Sequence, residues 1–196
     1  MYVALLGVQL FLMIVSKVTE DVFTAEVVGT VGFAVVTLAF YFPCRERFTV
    51  REPVAFPRYW YLLVVLAAVP IGLGVHAYVR GVSSLFGLHA PLGFEDELAH
   101  GWIWASVLIV VMPPLVEELA FRGVMFGALR HSLTVSETLI VTSFAFGLLH
   151  LSIPSLLTHI PLGFYFGWLR HRSGSLWPAV LAHACHNAFV LALVTV

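Results

Sequence analysis

Residues 112–123, MPPLVEELAFRG, place two glutamates and an arginine in a segment that is otherwise apolar enough to lie in a bilayer. A charged side chain at the membrane centre costs about 2.5–3.5 kcal/mol on insertion scales, so such groups usually serve a function. On a helix, Glu118 and Arg122 are four residues apart and share one face, whereas Glu117 points about 100° away. We therefore expect Glu118 and Arg122 to form a structural ion pair. A single brace of all three residues is the alternative, but it leaves Glu117 without a partner.

The apolar character extends along the whole chain. Of its 196 residues, 60% are hydrophobic and 11% are charged, and the mean hydropathy is +0.97. These values exceed those of soluble domains and predict an all-α, polytopic transmembrane helix bundle. The length allows about seven helices of ~20 residues and no additional soluble domain. A net charge of -1 without a basic run excludes nucleic acid as an expected partner.

Seven apolar runs mark the predicted membrane helices, at residues 2–16, 22–42, 59–79, 101–129, 135–151, 155–169 and 176–194. The fourth run is too long for a straight crossing, and Pro113 with Pro114 are expected to interrupt it. We divide the chain into N-terminal membrane helices and loops, residues 1–100, and a catalytic core, residues 101–196. Both parts are expected to pack into one integrated bundle.

Charge asymmetry between alternate loops predicts the orientation of the bundle. Basic residues concentrate on one predicted face, at Arg45, Arg47, Arg51, Arg58, Arg130, Arg170 and Arg172, while the opposite face carries Glu20, Asp21, Glu95, Asp96 and Glu97. Because positive charge prefers the cytoplasmic side, we expect a multi-pass membrane protein with a cytoplasmic N-terminus. Arg170 and Arg172 are interpreted as this topology signal. The short loops favour a prokaryotic cell membrane.

Two further runs carry polar groups of catalytic type. The fifth contains Phe146 and His150 at a spacing of four residues, and the seventh contains His183 and Asn187 at the same spacing, with His186 beside them. One buried histidine is usually a satisfied core residue. Glutamate, histidine and asparagine on three separate membrane helices instead indicate a shared site.

Other polar and small residues have structural interpretations. Thr134 and Glu137 form the pattern of a capping box at the start of the fifth helix. Gly163 and Gly167 predict a close helix contact. The aromatic residues 164–168 are interpreted as interfacial or lipid-facing packing. His159, in the same run, is left open between structure and function.

Three chemistries fit these residue types. A carboxylate in apolar surroundings is a strengthened general base, and imidazole and carboxamide groups on one helical face suit a developing oxyanion. Alternatively, Glu117, His150, His183 and His186 could ligate zinc, although the chain contains no HExxH motif. A third reading is a membrane scaffold or immunity protein that binds a peptide without cutting it.

Taken together, three motifs resemble those of the CAAX protease and bacteriocin-processing family, also called Abi, which includes the type II CAAX prenyl proteases. They are EExxxR within EELAFRG, FxxxH ending at His150, and HxxxN beginning at His183 after SGSLWPAV. The motifs occur in the order of that family and cover about residues 101–196. The first hundred residues match only as additional membrane helices.

The resemblance implies an intramembrane endopeptidase that needs no metal or other cofactor. In this reading Glu117 is the general base, His150 binds and activates water, and His183 with Asn187 forms the oxyanion site. Glu118, Arg122 and Phe146 support these residues. The implied partners are the lipid bilayer and a peptide or membrane-protein substrate, which in some relatives is prenylated; the residues do not choose among these substrates.

Overall fold

A computed structural model describes residues 1–19, 22–45, 56–86 and 99–194. These residues form seven helices and no strand, which confirms the predicted all-α class. The helices are α1 (Tyr2–Thr19), α2 (Val22–Cys44), α3 (Tyr59–Phe86), α4 (Trp102–Leu129), α5 (Val135–Leu149), α6 (Ile153–Ser173) and α7 (Trp177–Val194).

The helices have the lengths and surfaces of membrane-embedded elements. Within the described ranges, three are long and apolar enough to span a bilayer, namely Phe23–Pro43, Tyr59–Phe86 and Trp102–Leu129. Three further apolar helices are shorter, at Tyr2–Val18, Val135–Leu149 and Trp177–Leu193. Large apolar side chains such as Ile103 and Ile153 project outward from the bundle. The chain is an integral membrane protein.

The N-terminal and C-terminal helices pack against each other. The most extensive pairings are α5 with α6, α3 with α7, and α1 with α2, and α2 also lies along the second half of α4. One buried cluster joins residues from both parts of the chain, including Leu5, Val64, Phe121 and Phe146. The site residues therefore lie on α4, α5 and α7 at the centre of a shared core.

Local sequence signals place α5 and α6 as expected. Thr134 accepts a hydrogen bond from the Glu137 amide, and the Glu137 carboxylate accepts one from the Thr134 amide at 2.8 Å, so the predicted capping box is confirmed. A Cβ added to Gly163 would lie 3.0 Å from the Ser143 Cα, and one added to Gly167 would lie 2.8 Å from the Leu139 side chain. The predicted close contact is therefore confirmed, and it joins α6 to α5.

Helix α4 is continuous, but two of its segments are wound as π-helix. These are Ser106–Val111 and Leu119–Met125, and the regular segment Met112–Glu118 lies between them. Pro113 and Pro114 do not end the helix as expected. Because they carry no N–H, the Ile109 and Val110 carbonyls lose their α-helical donors, and the preceding turn widens so that the Met112 amide bonds to Val107, five residues back.

Candidate active site

The two charged residues at the C-terminal end of the opening motif form a fully buried ion pair. Arg122 Nη1 lies 3.0 Å from Glu118 Oε1, and both side chains are 0% exposed. Arg122 Nη2 donates to the Gly163 carbonyl of α6 at 2.7 Å, and the guanidinium lies 4.6 Å from the centroid of the Phe146 ring. The predicted pair is therefore present, and it attaches α4 to α6.

His183 of α7 lies between the two glutamates. Its Nδ1 lies 2.9 Å from Glu118 Oε1, and its Nε2 lies 4.0 Å from Glu117 Oε2. Because a carboxylate accepts hydrogen bonds, the first contact places a proton on Nδ1. The imidazole is thereby oriented with Nε2 toward Glu117.

Phe166 of α6 stacks on the His183 ring, with centroids 4.8 Å apart and planes inclined by 17°. Its side chain is almost fully buried, so the interpretation of residues 164–168 as lipid-facing is wrong for Phe166. The helix buries this face because Gly163 and Gly167 bring α6 close to α5. An aromatic residue beside these glycines is therefore held against the site.

Glu117 faces away from the ion pair and lines a cavity of about 360 Å³ together with His150. The Glu117 side chain is 20% exposed, in contrast to Glu118. The other walls come from α1 and α2, through Gln9, Leu12, Met13, Ser16, Ala25, Glu26, Gly29, Thr30 and Phe33. The cavity therefore lies in the half of the bundle where α1 ends and α2 and α4 begin.

His150 caps the C-terminus of α5 with its ring directed into this cavity. Its Nδ1 lies 3.0 Å from the Phe146 carbonyl one turn earlier, and an N–H must be the donor to a carbonyl. The Nε2 atom of the neutral ring is consequently an acceptor. Phe146 also contacts the His150 and His183 rings at 5.2 and 5.8 Å between centroids, which makes it a shared support.

His159 belongs to the same group, although the sequence left its role open. Its ring lies 3.7 Å from the His150 ring between centroids, and its Nδ1 lies 2.8 Å from the Ser155 carbonyl. Residues 150–152 form a short connection between α5 and α6, so the two histidines are adjacent across it. The signal available in the sequence is this spacing, because residues on either side of a tight helix hairpin face each other.

Asn187 is positioned by the proline segment of α4. Its carboxamide nitrogen donates to the Ile109 carbonyl at 2.9 Å, which is the carbonyl that Pro113 cannot bond. Asn187 therefore fastens α7 to the first π segment of α4. The neighbouring His186 is buried, and its Nδ1 has no hydrogen-bond partner among the described residues.

Arg170 was interpreted chiefly as a topology signal, and the structure shows a buried contact that the sequence analysis did not predict. The residue is 6% exposed, and its Nε donates to the Arg122 carbonyl of α4 at 3.1 Å. Arg172, two residues further along, is exposed. The two positions differ because α6 turns one toward α4 and the other outward.

The described residues do not assemble a metal-binding group. No cluster of three or more His, Cys, Asp or Glu side chains in that part of the chain is arranged to hold an ion. Of the zinc ligands considered from the sequence, His183 directs Nδ1 at Glu118 and only Nε2 at Glu117.

Comparison with known proteins finds similarity over the C-terminal half of the chain. Residues 99–189 match the family model of the Rce1-like type II CAAX prenyl endopeptidases. The match covers 91 of the 196 residues, so this segment is similar to that family. The chain is also similar to YdiL of Bacillus subtilis (strain 168), a candidate membrane peptidase, with 32% identity over 81 residues. That alignment covers 41% of this chain and 33% of YdiL, so it spans about a third of the relative. No solved structure gives a significant match.

All seven residues predicted for the site lie inside the matched segment, residues 99–189. The structure places Glu117 and His150 at one cavity and His183 Nε2 4.0 Å from Glu117. Glu118 and Phe146 contact His183, and Arg122 contacts Glu118 and Phe146. Asn187 lies on the same helix as His183 but is bonded to the α4 main chain. Two of the helices that line the cavity, α1 and α2, lie outside the matched segment.

Proposed function

We propose that the protein is an intramembrane endopeptidase that hydrolyses peptide bonds of membrane-associated peptides or proteins. The observation that carries this proposal is the meeting of Glu117 and His150 at one cavity, with His183 4.0 Å from Glu117. The family match of residues 99–189 supports the same class of reaction.

Water activation follows from the accessible atoms of the cavity. His150 donates from Nδ1 to its own helix, so its Nε2 can accept a hydrogen bond from water. Glu117 then takes the second proton of that water, and the hydroxide attacks the substrate carbonyl carbon. The protonated Glu117 returns the proton to the departing nitrogen as the C–N bond breaks, which leaves a carboxylic acid and an amine.

The charges around His183 favour a stabilised oxyanion. Glu118 and Arg122 neutralise each other, so a Glu117 carboxylate with a His183 imidazolium leaves the group neutral. Since Nδ1–H is directed at Glu118, His183 donates from Nε2 only as the imidazolium. A cation at this place stabilises the negative charge that develops on the carbonyl oxygen.

Asn187 can assist without leaving the α4 main chain. A carboxamide nitrogen carries two N–H donors, and the Ile109 carbonyl takes one of them. The second donor lies one helical turn from His183 and is assigned to the oxyanion. Losing one such donor typically lowers the rate by about 10²–10³.

The decisive experiment compares the membrane proteomes of cells that contain the wild-type protein or its Glu117→Gln variant, with newly formed N-termini labelled. We expect a set of cleavage products that depends on Glu117. The matched control is Glu137→Gln, because glutamine preserves the capping box outside the cavity. Identical products from wild-type and folded Glu117→Gln protein would refute the protease assignment and leave the scaffold reading.

A chelator separates the two enzymatic mechanisms. We propose that no metal takes part, since a carboxamide is an uncommon zinc ligand and His183 is shared with a carboxylate that faces away from the cavity. Purified enzyme should keep its full activity after exhaustive treatment with a membrane-permeant chelator. Activity that disappears and returns with zinc alone would establish the zinc mechanism instead.

We further propose that the N-terminus faces the cytoplasm, on the basis of the arginine distribution. Arg172 then lies at the cytoplasmic ends of the helices and Lys17 at the opposite ends. Impermeant thiol reagents applied to intact cells should label Lys17→Cys and not Arg172→Cys. Labelling of Arg172→Cys and not of Lys17→Cys would show that the orientation is the opposite of the proposed one.

A further inference from the structure

We propose that Arg170 is a positioning residue that holds the register of α4 and thereby the placement of Glu117 and His183. The inference rests on the proposed function for its kinetic consequence. Its structural basis is independent of that function: a buried side chain of α6 donates to the main chain of α4 inside the segment that carries the charged motif.

The acceptor exists because α4 is wound as π-helix at this point. In a regular α-helix the Phe126 amide would bond to the Arg122 carbonyl, four residues back. It bonds instead to the carbonyls of Phe121 and Gly123. The Arg122 carbonyl is thus bypassed by this amide, and Arg170 Nε donates to it at 3.1 Å. A buried carbonyl without a donor is costly, so Arg170 stabilises the π conformation relative to the α conformation.

Two arginines cross the α4–α6 contact in opposite directions. Arg122 sends its guanidinium from α4 to the Gly163 carbonyl of α6, at 2.7 Å. Arg170 sends its guanidinium from α6 to the Arg122 carbonyl of α4. Gly163 and Arg170 are seven residues apart, which is about two turns of one helical face. Arg122 is therefore held through both its side chain and its main chain.

This double attachment leads directly to the reacting groups. The Arg122 guanidinium holds Glu118, Glu118 holds His183, and His183 faces Glu117. A change of one residue in helical register rotates the following side chains by about 100°. If the π-turn relaxed, Arg122 would lose Gly163 or Glu117 would rotate out of the cavity. Arg170 thus acts through Arg122 and does not touch substrate.

The charge of Arg170 is not neutralised by an ion pair among the described residues, and its Nη1 has no hydrogen-bond partner there. The contact that defines its role is the hydrogen bond from Nε to the Arg122 carbonyl. The property to test is therefore the side-chain donor at position 170 that reaches the Arg122 carbonyl. Lysine retains a donor and a charge, whereas methionine retains only the apolar stem.

The test compares Arg170→Met and Arg170→Lys in the purified full-length protein, with exposed Arg172→Met as the matched control. We expect kcat of Arg170→Met to fall at least about tenfold while KM changes less than about twofold, because geometry is lost and not binding. Arg170→Lys should recover part of kcat, and Arg172→Met should equal the wild type.

A second readout does not depend on activity. Amide hydrogen exchange over Leu119–Met125 and Phe126 should accelerate in Arg170→Met and stay unchanged in Arg172→Met, since the π-turn has lost its donor. Unchanged exchange in folded Arg170→Met would overturn the inference, as would a loss of thermal stability with unchanged kcat. Accelerated exchange in a protein that lacks Glu117-dependent cleavage would instead remove the proposed function and leave Arg170 as the holder of the register.

Discussion

The two faces of α4 at Glu117 and Glu118 have opposite environments. On one face, Glu118 is completely buried and shares one oxygen between Arg122 and His183. On the other, Glu117 is 20% exposed and lines a cavity with His150. The residues are adjacent in the chain and chemically identical. One carboxylate is enclosed by its partners and the next is accessible at a cavity, so we expect chemistry only at the accessible one.

The face of α4 that carries Glu118, here called the dry face, tolerates few substitutions. Its charges have left water and are compensated only by each other, so removing one partner strands the other in the core. The cavity face is only partly packed, so we expect a substitution there to leave the helix packing intact. The following predictions test this division, in order of decreasing effect.

The largest effect is expected from Glu117→Gln. Without a base, hydrolysis should fall by about 10³-fold or more, because water activation is lost as a unit. Thermal stability in detergent should remain that of the wild type, since the side chain lies at a cavity and retains its size. Kinetic assays and a melting curve on the same preparation check both parts; appreciable turnover in the folded variant would remove Glu117 as the base.

On the dry face, Arg122→Met should destabilise the protein by about 3–5 kcal/mol, because Glu118 is left as an uncompensated buried charge. The double variant Glu118→Gln with Arg122→Met should be more stable than Arg122→Met alone, since no charge remains unpaired. Unfolding by denaturant in mixed micelles measures both. If the double variant is less stable than Arg122→Met, the unpaired charge of Glu118 is not the cause of the destabilisation.

A third prediction separates two roles of Asn187. Asn187→Ala should lower the free energy of unfolding by about 1–3 kcal/mol, because the Ile109 carbonyl then lacks a donor. In a Pro113→Ala background, a backbone N–H can serve that carbonyl, so the cost should shrink by about 1 kcal/mol, a coupling that a double-mutant cycle detects. Activity should stay low in the double variant, and its return would show that Asn187 acts only as a fastener.

The smallest effect is expected at His159. Its ring lies 3.7 Å from the His150 ring between centroids and restricts it by contact, and an aromatic pair is worth about 0.5–1.5 kcal/mol. His159→Phe should therefore keep most of kcat, while His159→Ala should lose about two- to tenfold. If both variants are as active as the wild type, the ring contact has no role. An equal, large loss in both would indicate that His159 takes part through its nitrogens.

Local patterns predicted much of this molecule. Hydropathy gives the seven helices, the capping box gives the start of α5, and a spacing of four residues gives the pair of Glu118 and Arg122. These features depend on residues near one another in the chain. The burial of Arg170 was not predicted, and the lipid-facing interpretation of Phe166 was wrong. Helix packing buries both side chains, and composition and charge counts do not contain helix packing.

The contact of Asn187 shows which part of the site the sequence can predict. Pro113 has no N–H, so the sequence predicts that the Ile109 carbonyl needs a donor from another part of the chain. The sequence does not indicate which side chain supplies it, because that choice depends on α7 lying beside the first half of α4. The contact between His159 and His150 could not be predicted either. The sequence gives only their spacing, and the contact follows once the hairpin between α5 and α6 is known.

The cavity walls have a consequence for how such a protein can diversify. The proposed reacting groups belong to residues 99–189, but the opposite wall is supplied by the paired helices α1 and α2. A chimera that exchanged only this pair would keep the proposed reacting groups and change the shape of the cavity. We expect such a chimera of the proposed protease to differ from the wild type in the substrates that it cleaves.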